Sequence, residues 1–290
     1  MRPQCGCRRA RRPGVREQYA NDFIVSDVVR QRYGRSARRT YITGVSFGGY
    51  LTRWQLENNP KLCDGGVDWE GTLFRSQGPN LLTYLPAALK HYPAYAAGDA
   101  TAHQAMLDAG FERGSEFLWD YHYAYYWDLT QRIYREELDP SYDGALEAGI
   151  PFCASGTPGC DADYDYFARP QAVRDAVERI SLTGRIGRPM LTLHGTYDAL
   201  LPIRTDSDVY TGLVSAAGRS AHFRYYRYEA GNHVDGLYNT FPDRLRPLLP
   251  CQRSAFDALV AWVEKGVAPP PDATLPRPTS GDIVNTCALG

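Results

Sequence analysis

Three residues of this chain have the types and the order that acyl-transfer chemistry uses: Ser46, Asp198 and His233. Ser46 lies in Gly44-Val45-Ser46-Phe47-Gly48-Gly49, directly after the run Tyr41-Ile42-Thr43. The pattern reads as a strand that ends in a sharp turn, with the serine at the apex and a helix behind it. Small residues are expected at Gly44 and Gly48, because a β-carbon there would collide with the next turn of chain. Such a turn holds a hydroxyl in the open at a helix N-terminus. A serine hydroxyl is a poor nucleophile at neutral pH and needs a base to take its proton. His233 is the candidate base, since imidazole titrates near neutrality. Asp198 is expected to fix the imidazole tautomer and to stabilise the imidazolium that forms. The backbone N–H of Phe47 is the candidate oxyanion donor, a group typically worth roughly 10²–10³ in rate.

The elements that must position these residues are legible around them. Pro189 to Gly195 reads as a buried strand, and the loop from Thr196 to Pro202 after it carries Asp198. Ile203 to Gly218 reads as a helix, and His222 to Tyr228 as an alternating strand that runs into Glu229-Ala230-Gly231-Asn232-His233. Each of the three residues therefore follows a strand, in the order Ser, Asp, His. Plainer readings exist for each. Ser46 could cap a Gly-rich turn, and Asp198 could be a turn residue before Pro202. Asp68 and Glu70, in Val67-Asp68-Trp69-Glu70-Gly71, are rival acids after the next predicted strand. His194 is a rival base, but its place before a glycine at a strand end suits a loop-shaping role. His91, His103, His122 and His222 fit no slot of the triad and are expected on the surface or in packing.

From about Arg39 to Gly266 the chain resembles the α/β-hydrolase superfamily. The resemblance is carried by Gly44 to Tyr50, by His194-Gly195-Thr196-Tyr197-Asp198-Ala199-Leu200-Leu201-Pro202, and by Gly231-Asn232-His233. The double glycine with tyrosine looks like the prolyl-oligopeptidase-type branch and its esterase relatives, and is similar to feruloyl-esterase and tannase-like enzymes. The resemblance implies an α/β fold: a mostly parallel sheet flanked by helices, with a large, mainly helical cap. It implies a core of residues 15–74 and 186–266 and a cap over 75–185. A basic segment 1–14 and a Pro-rich tail 267–290 complete the chain. It further implies a carboxylic-ester hydrolase that works through an acyl-serine intermediate, with no cofactor and no metal. Trp69, Glu70 and Tyr197, next to the triad loops, are the candidate substrate-binding residues. Members of the superfamily carry several strands before the nucleophile strand, and a loop among them gives a second oxyanion donor. Only 45 residues precede Ser46, so the expectation is a chain without the start of its domain.

Composition is consistent with one enzyme domain. The chain has 290 residues, 43% of them hydrophobic, enough to bury a large core. A formal charge of −1 gives no global field for nucleic acid. Residues 1–12 hold five arginines but no apolar core, which excludes a secretory signal there. No run approaches the ~18–20 apolar residues of a membrane span. Helices are expected at 80–90, 100–109 and 115–137. The last carries Phe117, Trp119, Tyr121, Tyr123, Tyr125, Tyr126 and Trp127, either as a cleft for aromatic or polymeric esters or as cap packing. Asp161-Ala162-Asp163-Tyr164-Asp165 imitates the start of a calcium loop but lacks its sixth-position glycine and twelfth-position glutamate. Cys153 with Cys160, and Cys251 with Cys287, are candidate disulfides, which would suit an oxidising compartment. Two other classes remain open at this point. One is a serine peptidase of the prolyl-oligopeptidase type, for which no repeats of a propeller are seen. The other is a binding protein that keeps the triad without turnover.

Overall fold

The computed structural model describes residues 27–142 and 162–289, and the chain falls into two compact units, Met1–Thr40 and Tyr41–Gly290. In the first unit, residues 27–33 form a short helix, α1, with an exposed Asp27–Arg30 pair at 3.0 Å. The basic segment 1–14, Cys5, Cys7, most of the helix expected before Gly34, the Cys153–Cys160 loop and Asp161 lie outside the described residues.

The second unit is built on five strands: β1 (Tyr41–Val45), β2 (Gly65–Trp69), β3 (Met190–Gly195), β4 (Phe223–Tyr228) and β5 (Ala273–Leu275). They pair in that order, and every pairing is parallel. A parallel strand covered on both faces reads as a near-continuous apolar run. That is the pattern of β3, where all six residues are buried, whereas β1 at the sheet edge is half exposed. Helices α2 (Phe47–Asn58), α8 (Ser207–Ala216) and α9 (Leu249–Lys265) connect β1 to β2, β3 to β4 and β4 to β5. Val67, Leu191, Leu193, Tyr226, Ala255 and Leu259 are buried together between the sheet and α9. Each such large aliphatic side chain contributes about 1.5–3 kcal/mol by leaving water. This is an α/β-hydrolase fold.

The tail differs from expectation. Residues 273–275 are a strand of the sheet, and Tyr226, Arg227 and Tyr228 pair with them. The prolines around this strand hid it. They lie outside its three residues, so none of them removes a ladder bond. The expected bridge between Cys251 and Cys287 is present, tying α9 to the segment after β5.

Between β2 and β3 the chain inserts α3 (Leu81–Ala96), α4 (Ala100–Asp108), α5 (Trp119–Tyr125), α6 (Trp127–Leu138) and α7 (Gln171–Glu178). Asn80 starts α3 with a capping box: its side chain accepts the Leu82 N–H at 2.9 Å, and Thr83 returns a bond to the Asn80 backbone. The single helix expected over 115–137 is instead broken at Tyr126, and its first turn is a 3-10 turn. The break divides the aromatic run. Trp119 and Trp127 turn inward and pack on Phe111, with Tyr95 and Tyr92 beside them. The Trp127 indole donates to Ala199 O at 2.6 Å, which fastens the insertion to the loop after β3.

Candidate active site

Ser46 sits at the turn between β1 and α2 with φ 59° and ψ −123°, a conformation that a non-glycine residue rarely adopts. Such strain persists when the surroundings over-determine it. Here Ser46 N donates to Trp69 O at 3.0 Å, while Ser46 O accepts from Tyr50 N at 3.0 Å and Thr72 N at 3.2 Å. Gly44 is obligatory: a β-carbon there would lie 2.4 Å from the Gly48 carbonyl carbon. The expectation for Gly48 is corrected, because a β-carbon on it would meet open space. The second tight glycine is Gly49, whose β-carbon would lie 2.5 Å from the Gly71 Cα. Phe47 is the first residue of α2, so its N–H belongs to the helix end that has no acceptor within the helix.

Asp198 and His233 stand in the loops after β3 and β4, at the C-terminal edge of the sheet where β1 delivers Ser46. Ligand sites of open parallel sheets lie along this edge. His233 Nδ1 is 2.8 Å from Asp198 Oδ2. Asp198 Oδ1 accepts the N–H groups of Leu200 and Leu201, both at 2.8 Å, so the carboxylate is aimed by its own loop. Burial pushes the Asp198 carboxyl up, but the neighbouring charges and hydrogen bonds of His233 and His194 outweigh it and hold the group well below the usual carboxylate range. His194 shapes this loop, as its position suggests: Nε2 faces Leu201 O at 2.9 Å and Asp198 Oδ2 at 3.2 Å, and Nδ1 meets Ser207 Oγ at 2.7 Å.

The two rival acids take different places. Asp68 is fully buried and turned away, bound to Arg53 Nε at 2.6 Å, Thr192 Oγ1 at 2.8 Å and Gly71 N at 2.9 Å. Glu70 is also fully buried but lies beside the imidazole. Its backbone has φ 52°, its Oε1 accepts Gly195 N at 2.7 Å, and its Oε2 lies 3.6 Å from His233 Nδ1. Burial, with the Asp198 charge added, raises the Glu70 carboxyl well above its ordinary range. Glu70 is pushed up and Asp198 down, the pattern of two acids whose environments push them apart.

Of the other candidate substrate-binding residues, Trp69 packs against the core between sheet and α9, and Tyr197 packs edge-on to Phe117 with its hydroxyl over Gly114. A cavity of about 130 Å³ opens beside His233, lined among others by Tyr121, His122, Tyr126, Leu200 and Asn232. The triad residue it touches is His233, and neither Trp69 nor Tyr197 lines it. His122, expected on the surface or in packing, is buried against Tyr126 and Trp127 and also lines this cavity. The signal in the sequence was its place inside the aromatic run, which gave no hint that α5 would face the β4 loop. The aromatic run divides: Trp119 and Trp127 pack inside the insertion, and Tyr121 and Tyr126 line the cavity. A larger groove of about 690 Å³ lies between α3 and residues 162–167, and none of the candidate catalytic residues lines it.

Glu70, Asp198 and His233 place one ligand atom each within 4.8 Å of the others, close enough to hold a metal ion. The donor set argues for hydrogen bonding instead. Asp198 already accepts from two backbone N–H groups and His233, and Glu70 from Gly195 N. Among the described residues, no helix is long and apolar enough to cross a membrane.

Sequence similarity to a known family falls mainly in the C-terminal half of the chain. The family model of the 3HB-oligomer hydrolases matches residues 136–288, more than half of the chain. A D-(-)-3-hydroxybutyrate oligomer hydrolase of Ralstonia pickettii is 32% identical over 117 residues, which is 38% of this chain and 16% of that protein. The same-named protein of Azoarcus sp. is 31% identical over 152 residues, 49% of this chain and 20% of that one. The chain thus spans about a fifth or less of the length of these relatives. Among solved structures, feruloyl esterase B from Aspergillus oryzae aligns with a TM-score of 0.46 at 14% identity, covering 87% of this chain and 64% of that one. An acylaminoacyl peptidase aligns with a TM-score of 0.38 at 13% identity, over 74% and 22% of the two chains. By the extent of the family match, this chain belongs to the 3HB-oligomer hydrolase family.

Proposed function

We propose that this chain hydrolyses carboxylic esters of short hydroxy acids, oligomers of 3-hydroxybutyrate among them, through an acyl-serine intermediate on Ser46. The observation that carries the reading is the 2.8 Å bond between His233 and Asp198 at the sheet edge that also bears the Ser46 elbow. The relatives' names supply the substrate class.

In this reading, Ser46 Oγ attacks the ester carbonyl and its proton passes to His233 Nε2. The bond of Nδ1 to Asp198 leaves Nε2 as the basic nitrogen and stabilises the imidazolium. The Phe47 N–H donates to the tetrahedral oxyanion. The C–O bond then breaks, and the leaving alcohol takes the proton from His233. Water attacks the acyl-serine, giving its proton to His233; the bond between Ser46 Oγ and the acyl carbon then breaks, Ser46 Oγ takes that proton back, and the carboxylic acid is released. Glu70 acts on His233 rather than on the substrate, because its carboxyl faces the imidazole.

A fluorophosphonate probe and p-nitrophenyl butyrate test the reading together. The expected result is stoichiometric labelling at Ser46, turnover of the ester, and loss of both in Ser46→Ala with the circular dichroism spectrum unchanged. Labelling without turnover would point to a binding protein. Faster cleavage of an anilide than of the matching ester would point to a peptidase.

A further inference from the structure

We infer that His122 hydrogen-bonds the oxygen on the third carbon of a 3-hydroxyacyl group seated in the cavity beside His233, and so sets the preference for hydroxyacyl over plain acyl esters. This rests on the ester-hydrolase reading above and names a specificity residue within it.

The geometry supplies the argument. His122 is 4% exposed, and no group among the described residues lies within hydrogen-bonding distance and geometry of either ring nitrogen. A buried polar group left without a partner is destabilising, so buried imidazoles are normally partnered. The ring is held between Tyr126, with centroids 5.5 Å apart, and Trp127, stacked at 6.2 Å. It therefore cannot swing to find a partner without disturbing the insertion's core. Both nitrogens belong to a side chain that lines the same cavity as His233. Asn232 lines it too, is 3% exposed, and its Oδ1 also lacks a partner among the described residues.

The chemistry of the ligand follows from these groups. Burial lowers the His122 pKa to about 4, the Asp198 charge opposing and His233 adding to that effect, so the ring is neutral at neutral pH. A neutral imidazole offers one N–H donor and one acceptor. No Lys or Arg is among the residues that line the cavity. An uncharged oxygen fits such a site, whereas a carboxylate would lose its solvation without gaining a cation. A hydroxyl on the ligand that accepts from the His122 N–H and donates to Asn232 Oδ1 gives each of these side chains one partner. Leu200 and Leu237 give the apolar remainder of the wall. The volume of about 130 Å³ is close to the ~150 Å³ cavity that accepts benzene, a molecule with as many non-hydrogen atoms as a 3-hydroxybutyryl group.

The test compares p-nitrophenyl D-3-hydroxybutyrate with p-nitrophenyl butyrate on the unchanged protein, His122→Phe and His122→Gln. The unchanged protein should prefer the hydroxyacyl ester in kcat/KM. His122→Phe should lower that preference by about ten- to a hundredfold, the effect of leaving a ligand hydroxyl unpaired. Its activity on the butyrate should change much less. His122→Gln, which keeps a donor and an acceptor, should restore part of the preference. An unchanged preference in both variants, or an equal fall on both esters, overturns the inference. Should either variant fail to fold, the unchanged protein still decides: equal kcat/KM on the two esters overturns this inference and leaves the ester-hydrolase reading standing. An unchanged protein that cleaves neither ester overturns both.

Discussion

Two of the clusters of buried polar groups in this fold are finished to different degrees. Around Arg53 every hydrogen-bonding side-chain atom is occupied. The guanidinium contacts Asp68 at 2.6 Å, Asp206 at 2.9 Å and Ser207 at 2.7 Å, and lies over the Tyr210 ring at 4.4 Å. The remaining carboxylate positions take Gly71 N, Leu73 N and Thr192 Oγ1. Around His233, Asp198 is equally well held, yet Glu70 Oε2, both nitrogens of His122 and Asn232 Oδ1 have no partner among the described residues. The two clusters are joined through Ser207 and His194, which bonds to both sides. One sequence therefore completes one network and leaves its neighbour incomplete. A satisfied buried network rigidifies a fold, and unsatisfied buried groups are costly unless something binds them. In the ester-hydrolase reading proposed above, the Arg53 side is structure and the His233 side is chemistry.

The largest test of that contrast is Asp198→Asn. It removes the charge behind the base while the amide keeps the shape. We expect kcat on p-nitrophenyl butyrate to fall by about 10³–10⁴, with a thermal midpoint close to that of the unchanged protein. A loss below about tenfold would move the acid role away from Asp198, with Glu70 the next group in line.

Arg53→Met is the matching test on the other side. It strands two buried carboxylates, and breaking a buried pair from one partner costs about 3–5 kcal/mol. Urea unfolding should show that loss, while the folded fraction at low temperature keeps most of its turnover. Adding Asp68→Asn and Asp206→Asn should recover part of the stability. If turnover collapses while stability holds, the Arg53 cluster belongs to the catalytic machinery and the comparison drawn above is wrong.

Cys287→Ser probes a region that belongs to neither cluster. The bridge spans 36 residues and fastens the segment after β5 to α9. Its loss should cost about 2–4 kcal/mol, with kcat unaffected once the protein is folded. Equal unfolding midpoints for oxidised and reduced protein would show that β5 is held by the sheet alone.

The sequence made the order of the candidate triad easy to read and the groups around it hard to read. Ser46, Asp198 and His233 are legible because each follows a strand, and a parallel sheet brings such positions to one edge. The bridge between Cys251 and Cys287 could be read from its flanking segments. The role of His122 could not, because it depends on which face α5 turns to the β4 loop, and a dense aromatic run has no polar face to fix that phase. The broken helix at Tyr126 was hidden for the same reason. β5 was masked by prolines that usually argue against a strand. Asp68 and Glu70 were equivalent rivals in sequence, two positions apart, a spacing that a continuing strand would put on one face. The strand ends at Trp69 and the positive φ at Glu70 breaks the alternation, so the Glu70 carboxyl lies beside His233 while Asp68 binds Arg53.

Glu70→Gln carries the smallest expected effect and bears most directly on why the His233 side is unfinished. Burial and the Asp198 charge raise the Glu70 carboxyl well above its ordinary value of 4.5. A carboxyl raised by folding binds its proton more tightly in the folded state than in the unfolded one. Its contribution to stability is present below the unfolded pKa and is lost as pH rises toward the folded one. Asp198 has the opposite sign: its depressed pKa contributes stability above its ordinary 3.8, which is lost as pH falls. In Glu70→Gln the first dependence disappears and the second remains. Stability of the variant relative to the unchanged protein should therefore rise as pH increases from about 4.5 into the neutral range, measured by urea titration at each pH. Turnover at neutral pH should fall by less than about tenfold, because Asp198 keeps the short bond to His233 and a carboxyl pushed up by its surroundings is replaced by a neutral amide. Parallel stability curves for the two proteins would mean that Glu70 titrates like a solvated carboxylate. Two ionised acids would then face His233.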